Sequence, residues 1–219
     1  MPGQFDEARG LLAAARLYVI SADDDPARQA VVLCAAIDGG AAVVQLRNKP
    51  AGAGELLAAA RRVSAHARAH GAVFVVNDLP ELVEASGADG VHVGQDEGEL
   101  GRVRSRLPQG ALVGRSTHSL EQARVAVSEG ADYIGVGPIH ATPTKPGRAA
   151  VGLDLVLQVV PAIDIPWFAI GGIHPENIPE LLAAGAIRVA VVRAVAQAAD
   201  PRLAAAELIA MLHHPVASA

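Results

Sequence analysis

One loop carries the densest set of polar groups that could act on a ligand. Residues 131–148, ADYIGVGPIHATPTKPGR, begin as a β-branched and aromatic stretch over 133–136. They break at Gly135-Val136-Gly137-Pro138 into a loop holding Thr142, Thr144 and Lys145. Pro143 and Pro146 fix φ at two positions, so the loop loses less entropy when it orders around a ligand. Two hydroxyls and an ammonium just past a strand suit an anionic, phosphorylated ligand. Thr and Pro also punctuate ordinary turns, so the loop alone does not decide between a site and a turn.

Other polar groups recur in the same position, just after an apolar run. Gln45, Arg47 and Lys49 lie in QLRNK, where extended-chain alternation puts them on one side and Leu46 and Asn48 on the other. An amide, a guanidinium and an ammonium on one side match the charge and two-point geometry of a pyrophosphate. Asn77-Asp78 and Gly94-Gln95-Asp96-Glu97 follow two neighbouring apolar runs. Acidic groups facing a basic cluster suit a hard cation such as magnesium, although Asp78 and Asp96 are also good helix caps. The paired Gly171-Gly172 could bring bare backbone N–H groups to an anion, with Val192-Arg193 beside them.

Positioning these groups requires a scaffold that brings many strand ends to one place. Apolar runs occur at residues 17–20, 42–46, 73–76, 90–93, 111–113, 133–136, 167–170 and 188–192. Helical patterns are expected between them at 26–38, 55–70, 80–86, 97–106, 119–129, 153–160 and 175–184, and after them at 201–212. Strands apolar on both faces, alternating with helices, indicate a parallel sheet covered by helices. Eight such units in 219 residues predict a single (β/α)8 TIM barrel, an α/β fold, whose active site lies at the carboxyl ends of the strands. No G-x-G-x-x-G follows the first strand, which argues against an open dinucleotide-binding sheet. A short helix over 5–14 is expected to pack on the barrel as a lid. The expected division is a helical extension over 1–15, the catalytic barrel over 16–213 and a polar tail over 214–219.

Composition narrows the partners. Aromatic residues are 3% of the chain and the net charge is −5, with Lys and Arg scattered, so neither a stacking platform nor a phosphate-backbone footprint for nucleic acid is present. Cys34 reads as buried packing and can form no disulfide within the chain. No apolar run reaches membrane-spanning length and the first residues lack a secretory pattern, so a cytoplasmic protein is expected. Among the histidines, His118 is a candidate proton carrier and His92 is expected to point into the barrel wall. His66 and His70, spaced i, i+4, could chelate a metal, but at a helix end they read first as cationic groups suited to the dipole.

With these residues assembled, the chain resembles the thiamine-phosphate synthase family. The resemblance runs through QLRNK, VNDLPELVEASGADGVHVGQDE, GRSTHS, ADYIGVGPIHATPTKPG, FAIGGI and VAVVRAV, in that order. It implies an enzyme that joins a hydroxymethylpyrimidine diphosphate to a thiazole phosphate, releasing pyrophosphate by a dissociative route. It further implies that Gln45, Leu46, Arg47, Asn48, Lys49, Asn77, Ser116 and Lys145 hold the pyrimidine diphosphate. Thr142, Pro143, Thr144, Gly172, Val192 and Arg193 would surround the thiazole phosphate, and Asp78 and Glu97 would bind Mg2+. The family usually has Asp where Glu97 stands and often Ser where Arg193 stands. Its expected partners are these small molecules, with no nucleic acid or membrane and a homo-oligomer as a possibility. Two rival readings are a thiazole tautomerase-like isomerase, which GRSTHS would also suit, and a non-catalytic sensor of phosphorylated ligands.

Overall fold

Eight parallel strands close in chain order: β1 (Leu17–Ile20), β2 (Val43–Leu46), β3 (Val73–Asn77), β4 (Gly90–Val93), β5 (Leu112–Thr117), β6 (Tyr133–Val136), β7 (Trp167–Ile170) and β8 (Val189–Val191), with β8 pairing back to β1. This computed structural model describes residues 2–142 and 149–213. Helix α1 (Pro2–Ala14) precedes the barrel. Seven more each follow a strand: α2 (Pro26–Asp38), α3 (Ala53–His70), α4 (Glu81–Ser86), α5 (Leu100–Arg104), α6 (Leu120–Ser128), α7 (Gly152–Val159) and α8 (Ile178–Ala183). After β8 come α9 (Arg193–Ala196) and α10 (Pro201–His213). Among the described residues no helix is long and apolar enough to cross a membrane.

Period-two alternation along the strands divides the apolar residues into two cores. Leu17, Val19, Val44, Leu46, Phe74, Val76, Val91, Val93 and Val113 point outward and pack under the helices. Tyr18, Val43, Val73, Val75, Leu112, Tyr133, Phe168 and Ala190 point inward and fill the barrel. A slip of one residue would exchange the two sets, so the register is strongly specified.

The amino-terminal helix packs on the barrel and completes its inner core. Ala8 and Leu12 of α1, with Ala15, join the inward-facing cluster, and burying Leu12 contributes roughly 1.5–3 kcal/mol. Gln4 donates to Asp89 at 3.0 Å, and Arg9 donates to the Gly110 carbonyl at 2.9 Å and pairs with Asp132. Asp89, Gly110 and Asp132 each lie just before a strand begins, so α1 closes the amino-terminal end of the barrel. The opposite end is left for a site.

Capping signals act where the sequence places them. Asp25 accepts from the N–H groups of Ala27 and Arg28 at 3.0 and 3.1 Å ahead of Pro26, and Ser119 accepts from Gln122 N–H at 3.2 Å. Some segments differ from the sequence expectation. β5 runs on to Thr117, the stretch 97–106 is a 3-10 turn over Gln95–Glu97 followed by α5, and α9 is an additional short helix.

Candidate active site

A cavity opens at the carboxyl ends of the strands and gathers residues from every side of the barrel. Gln45 and Arg47 come from β2 and its end, Asn77 from β3, His92 from β4 and Ser116 from β5. The loops after β6, β7 and β8 bring Thr142, Gly172, Val192 and Arg193. Alternation explains the membership. Leu46, between Gln45 and Arg47, is 1% exposed and packs in the outer core, with its side chain away from the cavity. Asn48 likewise turns aside and donates to the Asp24 carbonyl at 2.8 Å and to Gln29 at 3.2 Å. Lys49 is exposed and lies outside the cavity lining, as do Asp78 and Glu97. Pro143, Thr144 and Lys145 fall outside the described residues.

Arg47 is fixed at both its backbone and its head. Its N–H donates to Ser21 Oγ at 2.9 Å, and its carbonyl accepts from Ser21 Oγ at 3.0 Å and from Gln29 Nε2 at 2.8 Å. Its Nη1 donates to both carboxylate oxygens of Asp23, at 3.1 and 3.2 Å. Asp23 Oδ1 also accepts from Lys49 N–H at 3.1 Å, so one carboxylate orders the whole turn after β2.

Across the barrel interior runs a chain of hydrogen bonds that the sequence reading missed. Gln45 Nε2 donates to the Tyr18 hydroxyl, which meets the Tyr133 hydroxyl at 3.2 Å. His92 Nδ1 lies 3.2 Å from the Tyr133 hydroxyl, and its Nε2 lies 3.0 Å from Ser116 Oγ. Burial pushes both tyrosine hydroxyls up from their ordinary pKa, so they stay protonated and able to donate. The expectation that His92 points into the barrel wall is therefore corrected: with Val91 and Val93 in the outer core, alternation turns His92 inward. Gly114 makes room for this, because a Cβ there would collide with the Tyr133 and His92 rings.

The acidic candidates sit on the loops after β3 and β4, which pair through Asn77 and His92. Asp78 is the one non-glycine residue at positive φ among the described residues, at 56°. Such strain is kept where the surroundings demand it and collects at functional positions. Its carboxylate accepts from Asn77 Nδ2 at 2.6 Å and from Gly94 N–H at 3.4 Å. The capping alternative fails for both aspartates, since the N-cap positions of α4 and α5 are Pro80 and Glu99, neither of which makes a side-chain cap. Arg115 braces the loop bearing Glu97, donating to the carbonyls of Gly98 at 2.8 Å and Gln95 at 3.3 Å. A strained, half-exposed carboxylate offering oxygen, with an exposed glutamate on the next loop, fits a hard cation that also needs ligands from substrate.

On the other side of the cavity the backbone forms the wall. Gly171 and Gly172 have φ of 107° and 63°. A Cβ on Gly171 would stand 2.5 Å from Pro138 Cα, and one on Gly172 would stand 2.7 Å from His140 Cβ. Asn177 Nδ2 donates to the Gly172 carbonyl at 2.9 Å and holds the turn. Arg193 opens α9, is exposed and lines the cavity mouth. The strand reading ended at 192, and β8 in fact ends at Val191. His118 also lines the cavity; its Nδ1 meets the Gly137 carbonyl, which can only accept, so Nδ1 carries the proton.

Comparison with known proteins gives one consistent family. Residues 17–195 match the family model described as thiamine monophosphate synthase. A thiamine-phosphate synthase from Acidothermus cellulolyticus is 47% identical over 206 residues, covering 92% of this chain and 96% of that protein. One from Gloeobacter violaceus is 46% identical over 195 residues, covering 89% of this chain, and the chain spans only 57% of that relative's length. Among solved structures, a thiamine phosphate pyrophosphorylase from Pyrococcus furiosus superposes with a TM-score of 0.83 at 32% identity, covering 93% of this chain and 98% of that one.

Proposed function

The chain belongs to the thiamine monophosphate synthase family, and on that premise we propose that it condenses a hydroxymethylpyrimidine diphosphate with a thiazole phosphate to give thiamine phosphate and pyrophosphate. One observation carries the proposal. One cavity is lined by Gln45, Arg47, Asn77 and Ser116 from the ends of β2, β3 and β5 and by Thr142, Gly172, Val192 and Arg193 from the loops after β6, β7 and β8, two polar arcs that suit two different anions.

The two arcs divide the work. Arg47, positioned by Asp23, takes the diphosphate with two-point hydrogen bonds. Lys49 and, from the loop after β6, Lys145 add charge as the leaving group departs. Gln45 and Ser116, tied together through Tyr18, Tyr133 and His92, orient the pyrimidine. The methylene–oxygen bond breaks with its electron pair going to pyrophosphate, and the thiazole nitrogen then captures the methylene carbon. The thiazole phosphate rests on the Gly171-Gly172 turn and Arg193, with Thr142, Pro143 and Thr144 around it. Charge develops on the leaving group, so clamps serve better than a nucleophile. Asp78 and Glu97 would hold a magnesium ion, which when bound neutralises developing charge on the diphosphate oxygens.

Incubating the protein with both substrates and magnesium tests the reading: pyrophosphate and thiamine phosphate should appear in equal amounts. Binding without turnover would favour the sensor reading. Rearrangement of the thiazole carboxylate without pyrophosphate would favour the isomerase, which His118 in the cavity, with its Nδ1–H turned to the Gly137 carbonyl, makes the better of the two rivals.

Two further outcomes are expected. Asp78→Asn should raise the magnesium concentration needed for half-maximal turnover by about 10–100-fold, the loss seen when even a supporting contact of a metal site is removed. An unchanged magnesium titration would take Asp78 out of the metal site. Arg193→Ser should raise KM for the thiazole phosphate by roughly tenfold to a hundredfold, since a charged hydrogen bond is worth about 1.5–3 kcal/mol. Turnover and the other substrate's KM should hardly change, because the contact is made equally before and during the chemical step. An unaltered KM would leave Arg193 without a phosphate role.

A further inference from the structure

Away from the cavity, two helix ends bring together three side chains with the chemistry of a transition-metal site. Asp38 is the last residue of α2, and His66 and His70 lie one turn apart at the end of α3. Each helix here runs back from the cavity end toward the start of the next strand, so the trio sits at the amino-terminal end of the barrel. His66 Nε2 lies 2.7 Å and His70 Nε2 lies 3.7 Å from the same oxygen, Asp38 Oδ1. The two imidazoles stack with centroids 4.1 Å apart, and one ligand atom from each of the three residues falls within 4.8 Å of the others. We infer that Asp38, His66 and His70 bind a first-row divalent transition ion, zinc by preference, which ties α2 to α3.

Three features separate this cluster from an ordinary surface ion pair. First, His70 Nδ1 bonds to the His66 carbonyl at 2.9 Å. A carbonyl only accepts, so Nδ1 carries a proton, and in the neutral ring that ligates metals the lone pair is then on Nε2, the atom nearer Asp38. A second hydrogen bond of this kind is what orients metal-bound histidines. Second, the spacing suits a tetrahedral ion. Bonds of about 2.0–2.2 Å hold ligand atoms roughly 3.3–3.5 Å apart, and the observed 2.7 and 3.7 Å bracket that range. An ion entering would replace the His66–Asp38 hydrogen bond, and the neutral His66 ring would shift its proton from Nε2 to Nδ1 so that the Nε2 lone pair faces the ion. Third, two imidazoles with one carboxylate select borderline ions of the zinc type over magnesium, which prefers oxygen alone. The side chains are 27–47% exposed, so water can complete the coordination.

The helix-dipole reading of His66 and His70 explains their charge preference but not the shared carboxylate oxygen from another helix. Nothing in this site touches the cavity residues, so it stands or falls independently of the proposed reaction.

Calorimetric titration of the whole protein with zinc chloride, in buffer containing magnesium and no chelator, should give one zinc per chain and a raised unfolding temperature. Asp38→Asn, His66→Gln and His70→Gln should each weaken binding by about tenfold or more, at least what loss of a supporting contact costs, and should cancel the thermal gain. These are amide replacements at exposed helix ends, and circular dichroism will verify folding. A His213→Gln control should bind as the unaltered protein does. Absence of zinc binding, or equal affinity in the His66→Gln/His70→Gln double variant, would overturn the site.

Discussion

Arg47→Ala is expected to lower kcat/KM for the pyrimidine diphosphate by about 10²–10³, roughly 2.7–4 kcal/mol of transition-state stabilisation. The guanidinium is 9% exposed as part of its residue and is aimed by Asp23, and the backbone beneath it is held by Ser21 and Gln29. Its position is therefore fixed before substrate arrives, and little ordering is required during the reaction. Preorganised donors of this kind act most strongly where charge develops. Arg47→Lys should recover only part of the loss, because an ammonium cannot reproduce the fork. Asp23→Asn offers an internal control: it leaves the cation but loosens its anchor, so its effect should be smaller than that of Arg47→Ala. Steady-state kinetics on the three variants would decide. Activity of Arg47→Ala within a few-fold of the unaltered protein would exclude it from the diphosphate clamp.

The barrel was legible because its signal is redundant. Eight apolar runs repeat at similar intervals, and each excludes the same alternatives. What was less legible is polar strand. The residues of β5 beyond Val113 are Gly114, Arg115, Ser116 and Thr117, a string that reads as loop. It is strand because Ser116 pairs with Gly135 and Thr117 with Val136. A strand that lines a site loses the apolar alternation by which strands are recognised. His92 shows the converse. Its neighbours Val91 and Val93 carried the information that it faces inward, and a strict alternation count would have placed it in the cavity.

Residues distant in the chain were the other blind spot. His66 and His70 were visible as an i, i+4 pair, but nothing in the sequence joined them to Asp38 on another helix. Packing of α2 against α3 brings that third side chain to them. Likewise Arg115 stood out only as part of a motif, whereas its role in bracing the Glu97 loop depends on the carbonyls of Gln95 and Gly98. Leu46 and Asn48 were swept in with QLRNK as a contiguous string, and the pleat separates their side chains from those of Gln45 and Arg47. Contiguity in sequence is a poor guide to one face of a strand.

Gly171→Ala is expected to damage stability and the thiazole phosphate site together. At a φ of 107° an alanine is strained wherever it points, which costs on the order of 1–3 kcal/mol. Its Cβ would also stand 2.5 Å from Pro138 Cα and 3.0 Å from Ile139 N, both backbone atoms that cannot rotate away. Forced overpacking adds roughly another 1–3 kcal/mol, so the sum is a large share of a typical domain's 5–15 kcal/mol. The strain has a direct route into the site. Ile139 N–H donates to the Ile170 carbonyl at 2.8 Å and His140 N–H donates to the Gly171 carbonyl at 3.0 Å, fastening the loop that leads to Thr142 onto the β7 end. Relief of the collision must lengthen one of these bonds or shift the Gly171-Gly172 turn, and either movement separates Thr142 from Gly172. Denaturant unfolding should therefore show a lower midpoint, and the surviving folded enzyme should show a raised KM for the thiazole phosphate. Ala169→Gly, one turn of the pleat away and facing the outer core, should lower the midpoint without that change in KM. If Gly171→Ala left both the midpoint and the KM unchanged, the close approach of β7 to the loop after β6 would not be what shapes this side of the cavity.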